Sequence, residues 1–546
     1  MSSKRLKDPL YGYISIPNDI MYGIVDTAAF QRLRRVTQTS YSPLYSSAVH
    51  NRFVHSLGVY HLGEMAAETL VRQMTDILRE DNRDIAVETL QNMKKVFCLA
   101  CLLHDVGHAP FSHTGEKFYL ENCEDYSKLH ALLVEAVSTD SFGKDVPKAK
   151  SSAAAPHEIM SSIVGIREFG SFMPETEDRE FFARCITGYI YQEASSFNSI
   201  RNCFIQLLNS KVIDVDKLDY LIRDAYITGF CTVNIDYQRL LTSLTIVDKN
   251  ESGAYELAYF KSAISVIENV VYAHDSERKW IQNHPVILYE SYILQHVMRL
   301  LSEKLDTGEK KLFSIDALSK GGQTLQSDMV VRLLSDDDII SLMKQYYHEN
   351  DLVSEYFERN TRRHPVWKSE SEYKAFFLGI SEGGTLLASL ESALEVTAEY
   401  LSKNTTNWVI NQDLIDTINR ELKQLDGLEL DEASKKAQRK DKEKILKVVG
   451  CLSEYATSKQ YDCDFVLLKT SQFNSGFSKP NFSETNIVFP TKGGRKAETF
   501  KKTASSISGV ASGRDNFFYI FYKRKPGEIE PLDAAELCSR LFAAFV

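Results

Sequence analysis

The sequence predicts a mainly α-helical protein with a mixed α+β C-terminal portion, and three observations carry that prediction. From about residue 26 to 300, apolar residues recur three and four apart in long stretches. Leu62, Met65, Ala66 and Leu70 are one such face. From about residue 462 the pattern changes: DFVLLKT, NIVFP and NFFYIFYKR have strand composition and are divided by loops holding Gly, Ser and Lys. The chain is also long, at 546 residues with 43% hydrophobic content. At about 150 residues per domain this allows two to four domains with sizeable cores, and it excludes a disordered or fibrous chain.

In chain order, DPLYGYISIP is short, aromatic and β-branched and predicts a small N-terminal hairpin. Amphipathic helices follow, interrupted at residues 144–156 by KDVPKAKSSAAAP, whose Lys, Ser, Ala and Pro predict a surface loop. After residue 300 the helices continue in a more polar register. DEASKKAQRKDKEKILKVV, residues 431–449, predicts a charge-dense helix with a solvated face. LDAAELCSRLFAAF closes the chain with helical spacing. The expected division is a helical domain over 1–300 with its small hairpin, a helical extension over 301–460, and an α+β region over 461–546. No internal repeat is visible.

Sixty-four basic residues against 74 acidic ones leave a net charge of −10, which argues against constitutive nucleic-acid coating. Nine cysteines, an odd number scattered over a long chain, do not form a secreted disulfide framework. Cys98 and Cys101 have CxxC spacing, but they lie in the apolar run VFCLACLL with no second pair, so buried core is expected. That run is far short of the ~18 apolar residues of a membrane span, and MSSKRLKDPL has no apolar signal core. A soluble cytoplasmic protein without a membrane partner is expected.

Eight of the thirteen histidines fall between residues 50 and 157, and they do so among carboxylates. In LLHDVGHAPFSH an apolar helix runs into His104 and Asp105, and Gly107 and Pro110 then break it. Side by side on a helix, a His and an Asp can bracket one divalent ion. His108 could face the same side if the last turn persists. His55, in HNRFVHSLG, is seven residues before Leu62 and hence inward-facing. IDVDKLDYLIRDA places Asp216, Tyr220 and Asp224 on one face at four-residue spacing, with Leu218, Leu221 and Ile222 on the other. Two histidines and two aspartates make a mixed nitrogen and oxygen site, suited to Mn, Fe, Zn or Ni more than to an all-oxygen Mg site.

The order HNRFVHSLG, LLHDVGHAPFSH, His157-Glu158 and DVDKLDYLIRD, preceded by FQRLRRVTQ, resembles the HD-domain phosphohydrolases. More narrowly it is similar to the branch of bacterial deoxyguanosine triphosphate triphosphohydrolases and the SAM and HD domain-containing dNTPase. The resemblance is dense from about residue 7 to 230 and looser beyond.

It implies a helical HD-domain core and His55, His104, Asp105 and Asp216 as ligands of one divalent transition metal per subunit, with Mg accompanying the substrate. His113 would protonate the leaving 5′ oxygen, oriented and kept protonated by Glu116. His108 and His157 would line the phosphate path, Arg52 and Lys217 would neutralise phosphate oxygens, and Gln38, Tyr220 and Asp224 would hold the sugar. The implied reaction is attack of metal-bound hydroxide on the α-phosphorus, which yields a deoxynucleoside and triphosphate.

The chain departs from the branch in AHDSERKWIQNHPV, where Gln282 stands for the sugar-packing tyrosine and His274 for a phosphate-binding arginine. Trp280 and His284 are near enough in sequence to compensate. Asp26, Gln31 and Arg34 match positions that in regulated relatives contact an activating nucleotide between subunits, which implies a homo-oligomer (dimer, tetramer or hexamer). TKGGRKAETFKK, with Arg495, could complete such a site, or touch single-stranded nucleic acid beside Phe500. The rival functions are an HD phosphohydrolase of another phosphate ester (a nucleoside monophosphate, cyclic nucleotide or alarmone) and a catalytically idle nucleotide- or nucleic-acid-binding regulator.

Overall fold

The computed structural model describes residues 2–83, 85–119, 123–146, 154–210, 213–248, 252–305, 324–326, 329–331, 334–345, 350–378, 384–403, 409–427, 431–459, 465–470, 485–491, 494–503, 517–523 and 532–545. It is mainly helical, as the spacing of apolar residues predicts, with strands in the C-terminal portion. The chain divides into two compact units: Met1–Arg278 with Leu300–Met343 and Asn474–Ser512, and Lys279–Arg299 with Lys344–Phe473 and Gly513–Val546.

The first unit opens with the expected hairpin, β1 (Ser3–Asp8) and β2 (Gly12–Pro17), antiparallel from Ser3 opposite Pro17 to Asp8 opposite Gly12. Its turn closes on Asp8, whose Oδ1 accepts the N–H groups of Leu10 at 2.8 Å and Tyr11 at 3.1 Å. Helix α1 (Arg52–Glu80) starts where Asn51 accepts the Val54 N–H, an N-cap bond.

It lies alongside α2 (Val87–Leu103), and the two approach closely at Gly63, where a Cβ would meet the Cys101 sulfur. Leu62, Ala66, Leu70, Phe97 and Leu99 are fully buried. Each contributes about 1.5–3 kcal/mol of apolar burial, apart from the smaller alanine. Cys98 and Cys101 are buried free thiols within this core, and burial pushes the Cys98 thiol up to about 12. Helices α3 (Ser112–Tyr119), α4 (Pro156–Phe169) and α5 (Val215–Thr228) follow. Of the expected loop 144–156, residues 147–153 lie outside the described residues.

A four-stranded sheet completes this unit. β3 (Leu244–Val247) pairs antiparallel with β4 (Glu256–Phe260). β4 then pairs in parallel with β5 (Asn486–Thr491), which pairs antiparallel with β6 (Gly494–Thr499). Two strands from the last hundred residues therefore sit on the helical first unit, where Val247, Ala258 and Val488 form one apolar cluster. Helix α6 (Asp336–Gln345) also begins in this unit.

The second unit carries a three-stranded antiparallel sheet in the order Val466–Lys469, Phe518–Tyr522, His364–Pro365. Trp367 is fully buried, and its Nε1 donates to the Phe518 carbonyl at 2.7 Å. The helix Glu432–Ser458 is largely exposed over its charged first half and buries Ile445, Val448, Val449, Leu452 and Tyr455 in its second. The helix Ala534–Ala543 ends the described chain. Among the described residues no helix is long and apolar enough to cross a membrane.

Candidate metal centre

Three helix ends bring the four expected ligands together. His55 sits in the first turn of α1 and is fully buried; His104 caps the C-terminus of α2, with Asp105 next. Asp214 caps α5 by accepting the Lys217 N–H at 2.7 Å, which puts Asp216 in the first turn of that helix. His55 Nε2 lies 3.0 Å from Asp216 Oδ1, 3.5 Å from Asp105 Oδ2 and 3.2 Å from His104 Nε2. His104 Nε2 lies 3.4 Å from Asp105 Oδ1 and 3.6 Å from Asp216 Oδ1. Atoms about 2.0–2.2 Å from one ion stand roughly 3–3.6 Å from each other, so the spacing fits a shared cation.

The tautomers strengthen that fit. His104 Nδ1 donates to the Cys101 carbonyl at 2.9 Å, and His55 Nδ1 donates to Asp219 Oδ2 at 2.8 Å. With both Nδ1 protons engaged, neutral rings would turn their Nε2 lone pairs toward each other and toward two carboxylates. The ligand atoms of His55, His104 and Asp216 lie close enough together to hold one ion, with Asp105 beside both histidines. Burial disfavours charge on His55, yet its bonds to Asp216 and Asp219 lift it to about 9, a measure of how strongly the pocket calls for positive charge. Burial would also raise Asp105, and Arg52 with the neighbouring histidines overrides it, holding that carboxyl well below its ordinary range.

Asp219 escaped the sequence analysis. It is fully buried, accepts from Tyr11 Oη at 2.8 Å and from Arg223 at 2.9 and 3.0 Å, and Arg223 also donates to Asp8 at 3.1 Å. A carboxylate behind a metal-facing histidine fixes its tautomer and orientation. The available signal was the i, i+4 pairing of Asp219 with Arg223 on α5.

Beside this centre lies a second cluster. Helix α2 ends before His108, so His108 reaches the site from a turn and not from a continued helix. Gly107 makes room there, because a Cβ would collide with the Ser161 backbone. His108 Nε2 is 3.1 Å from Asp105 Oδ1 and its Nδ1 2.6 Å from Glu116 Oε1.

Glu116 is buried and also faces His157 Nδ1 at 3.2 Å and His113 Nδ1 at 3.4 Å, so three imidazoles surround one carboxylate. Burial would raise Glu116, and the histidines hold it well below its ordinary value. Burial and the cations Arg52 and His157 press His108 down to about 4, whereas Glu116 overcomes burial to lift His157 to about 9. His113 is the open member, with its side chain 65% exposed.

The remaining expected residues are distributed differently. Arg52 is buried, donating to Asp105 at 2.8 Å, to Ser112 Oγ at 2.9 Å and to the Gln38 carbonyl at 3.3 Å, so its charge is engaged with Asp105. Asp224 is buried against His50 Nε2 at 2.7 Å. Gln38 is buried, and its Oε1 has no hydrogen-bond partner among the described residues. Tyr220 is half-buried on α5. Lys217 donates to the Ser210 carbonyl at 2.7 Å, pairs with Asp214, and keeps its side chain 27% exposed.

His274 belongs to the first unit, 3.4 Å from Asp275; Trp280, half exposed, belongs to the second with Gln282 and His284. Asp26 Oδ2 lies 3.9 Å from Lys4 Nζ; Gln31 donates to Val25 O at 2.7 Å and accepts from Arg34 Nε at 2.8 Å; Arg34 covers the Phe53 ring at 3.5 Å. Arg495 is instead 3.6 Å from Glu80, at the far end of α1. At 1.5 Å per residue, Phe53 and Glu80 are roughly 40 Å apart, so a single chain does not bring Arg495 to the other three.

Residues 52–176 match the HD domain family. The chain is 30% identical over 272 residues to an uncharacterized protein of Mycoplasma genitalium, covering 49% of this chain and 53% of that one. It is 31% identical over 251 residues to the deoxynucleoside triphosphate triphosphohydrolase SAMHD1 of Gallus gallus, covering 44% of this chain and 36% of that one. The matches thus span about half or less of these relatives. A crystal structure of a phosphohydrolase from Bacteroides thetaiotaomicron shares the fold with a TM-score of 0.53 at 18% identity, over 96% of this chain and all of that one.

Proposed function

We propose that this chain, which carries the HD-domain phosphohydrolase fold, is a metal-dependent dNTP triphosphohydrolase that releases deoxynucleoside and triphosphate. The observation that carries the reading is the convergence of His55 and His104 Nε2 with Asp216 and Asp105, a mixed nitrogen and oxygen donor set suited to a divalent cation. Relatives named as deoxynucleoside triphosphate triphosphohydrolases support the nucleotide class.

His55, His104, Asp105 and Asp216 would hold the metal, whose chemistry when bound is to lower the pKa of water and polarise phosphorus. The chain's own groups do the rest. Arg52 compensates Asp105, so that two aspartates can share a buried site. His113 reaches open space while its Nδ1 faces Glu116, which leaves Nε2 to give a proton to the leaving 5′ oxygen. Lys217, partly exposed one residue from Asp216, supplies a cation toward the phosphates, and Tyr220 offers a ring to the sugar. Asp26, Gln31 and Arg34 would bind an activating nucleotide in a homo-oligomer.

The test is incubation of the purified protein with each dNTP and NTP, with Mn and with Mg, and chromatographic resolution of the products. Triphosphate release supports the reading. Orthophosphate or pyrophosphate release moves the activity to another phosphate ester, and no turnover with bound metal leaves a nucleotide-binding regulator.

A further inference from the structure

Asp336 opens α6, 225 residues beyond Phe111, yet its side chain is buried against the loop that joins α2 to α3. Its Oδ1 accepts the Phe111 N–H at 2.6 Å, and its Oδ2 accepts the Thr37 N–H at 2.8 Å and the Thr37 hydroxyl. This carboxylate is not needed to cap its own helix. Ser335 and Asp338 serve that end: Asp338 accepts the Ser335 N–H at 2.7 Å and its hydroxyl at 2.8 Å.

The loop it holds is strained. Phe111 and Ser112 have φ of +57° and +52°, two successive non-glycine residues in the left-handed region. Each costs of the order of 1–3 kcal/mol and persists only where the surroundings over-determine it. Ser112 Oγ donates to the Thr37 carbonyl at 2.5 Å and accepts from Arg52 Nε, and Arg52 in turn donates to Asp105. On the other side of the loop, Arg32 donates to Leu334 O at 2.7 Å, His108 O at 2.5 Å and Val106 O at 3.4 Å. Residues 334–336 thus fasten both ends of the loop that runs from Asp105 into His113 and Glu116.

We propose that Asp336 is a positioning residue, a latch whose two acceptor oxygens hold the Phe111–Ser112 turn so that His113 and Glu116 stand beside Asp105 in register for proton transfer. The proposal rests on the reading of His113 as proton donor. Both Asp336 oxygens face backbone N–H groups, so an amide in either orientation sets its NH2 against one of them. Asp336→Asn therefore opens the latch at constant volume.

The experiment compares wild type, Asp336→Asn, Thr37→Val, His113→Ala and the double variant Asp336→Asn/His113→Ala, all as metal-loaded full chains. Asp336→Asn is expected to lower kcat about 10- to 100-fold, as misplacement by an ångström does, with bound metal and KM nearly unchanged. Thr37→Val, losing one of three donors, falls between. In the His113→Ala background Asp336→Asn adds less than about twofold, because two residues acting as one unit are non-additive. Wild-type kcat in Asp336→Asn, or a full multiplicative loss in the double variant, overturns the proposal. If the wild type hydrolyses no nucleotide, the functional reading fails separately, and 13C-histidine NMR decides the latch. Shifted His113 and His157 signals in Asp336→Asn support it, and unmoved signals overturn it.

Discussion

Asp219 Oδ2 stands 2.8 Å from the Nδ1 of His55, behind the ring whose Nε2 meets Asp216 at 3.0 Å. The orientation of the His55 ring therefore depends on a carboxylate that no sequence motif singled out, itself fastened by Arg223 and by Tyr11 from the N-terminal hairpin. Asp219→Asn is expected to weaken metal binding about 10- to 100-fold, the usual effect of losing such an orienting partner. Chelator competition on the purified protein measures it, and unchanged affinity would remove Asp219 from the site.

Gly58 faces the same carboxylate from α1, and a Cβ there would fall on Asp219 Oδ1 and against Arg223. Gly58→Ala should therefore destabilise the fold by about 1–3 kcal/mol, as overpacking does, and loosen the metal as well. Thermal melts with and without added Mn check both effects together. A variant as stable and as tightly loaded as wild type would mean that α1 and α5 separate freely at this point.

The proposed metal ligands and the proposed proton donor should separate cleanly by assay. His104→Ala and Asp105→Ala are expected to lose bound metal and turnover together. His113→Ala should keep its metal and lose about 10²–10⁴ in kcat, the range for a general acid. Metal analysis beside initial rates distinguishes them; retention of both metal and rate in the His104 and Asp105 variants rules out this centre.

The pair of Glu116 with His157 predicts a pH window for stability. His157 rises from 6.5 to about 9 because Glu116 outweighs burial, so its contribution is complete below 6.5 and is lost as pH climbs through about 9. Glu116 is held below its ordinary 4.5, so its own contribution is present above that value and fades in acid. Glu116→Gln should accordingly cost most between pH 4.5 and 6.5, and progressively less as pH rises from 6.5 to about 9. Denaturant unfolding across that range is the measurement, and a cost that stays flat would show that the two side chains titrate independently.

How much of this was legible beforehand follows from the range of the interactions. The HD pair was readable because an apolar helix, two adjacent donors and a Gly-x-x-Pro break lie within a dozen residues. His55 and Asp216 were readable because helical periodicity assigns each an inward face. His113 with Glu116 came from the family resemblance alone. Asp219 was overlooked because its neighbours Leu218 and Leu221 mark the apolar face, while its partners, His55 and Tyr11, are 164 and 208 residues away.

Local patterning by itself determined the mainly helical class, the N-terminal hairpin, the buried Cys98 and Cys101, and the residue types that would meet a cation. These depend on periodicity and on side-chain chemistry, which the chain displays residue by residue. Only the tertiary structure decided that β5 joins β4, that Arg52 is held by Asp105, that Asp224 is held by His50, and that Asp336 reaches Phe111. Buried charges and unpaired N–H groups take whichever partner the folded chain brings within about 3 Å, and no local spacing encodes that choice.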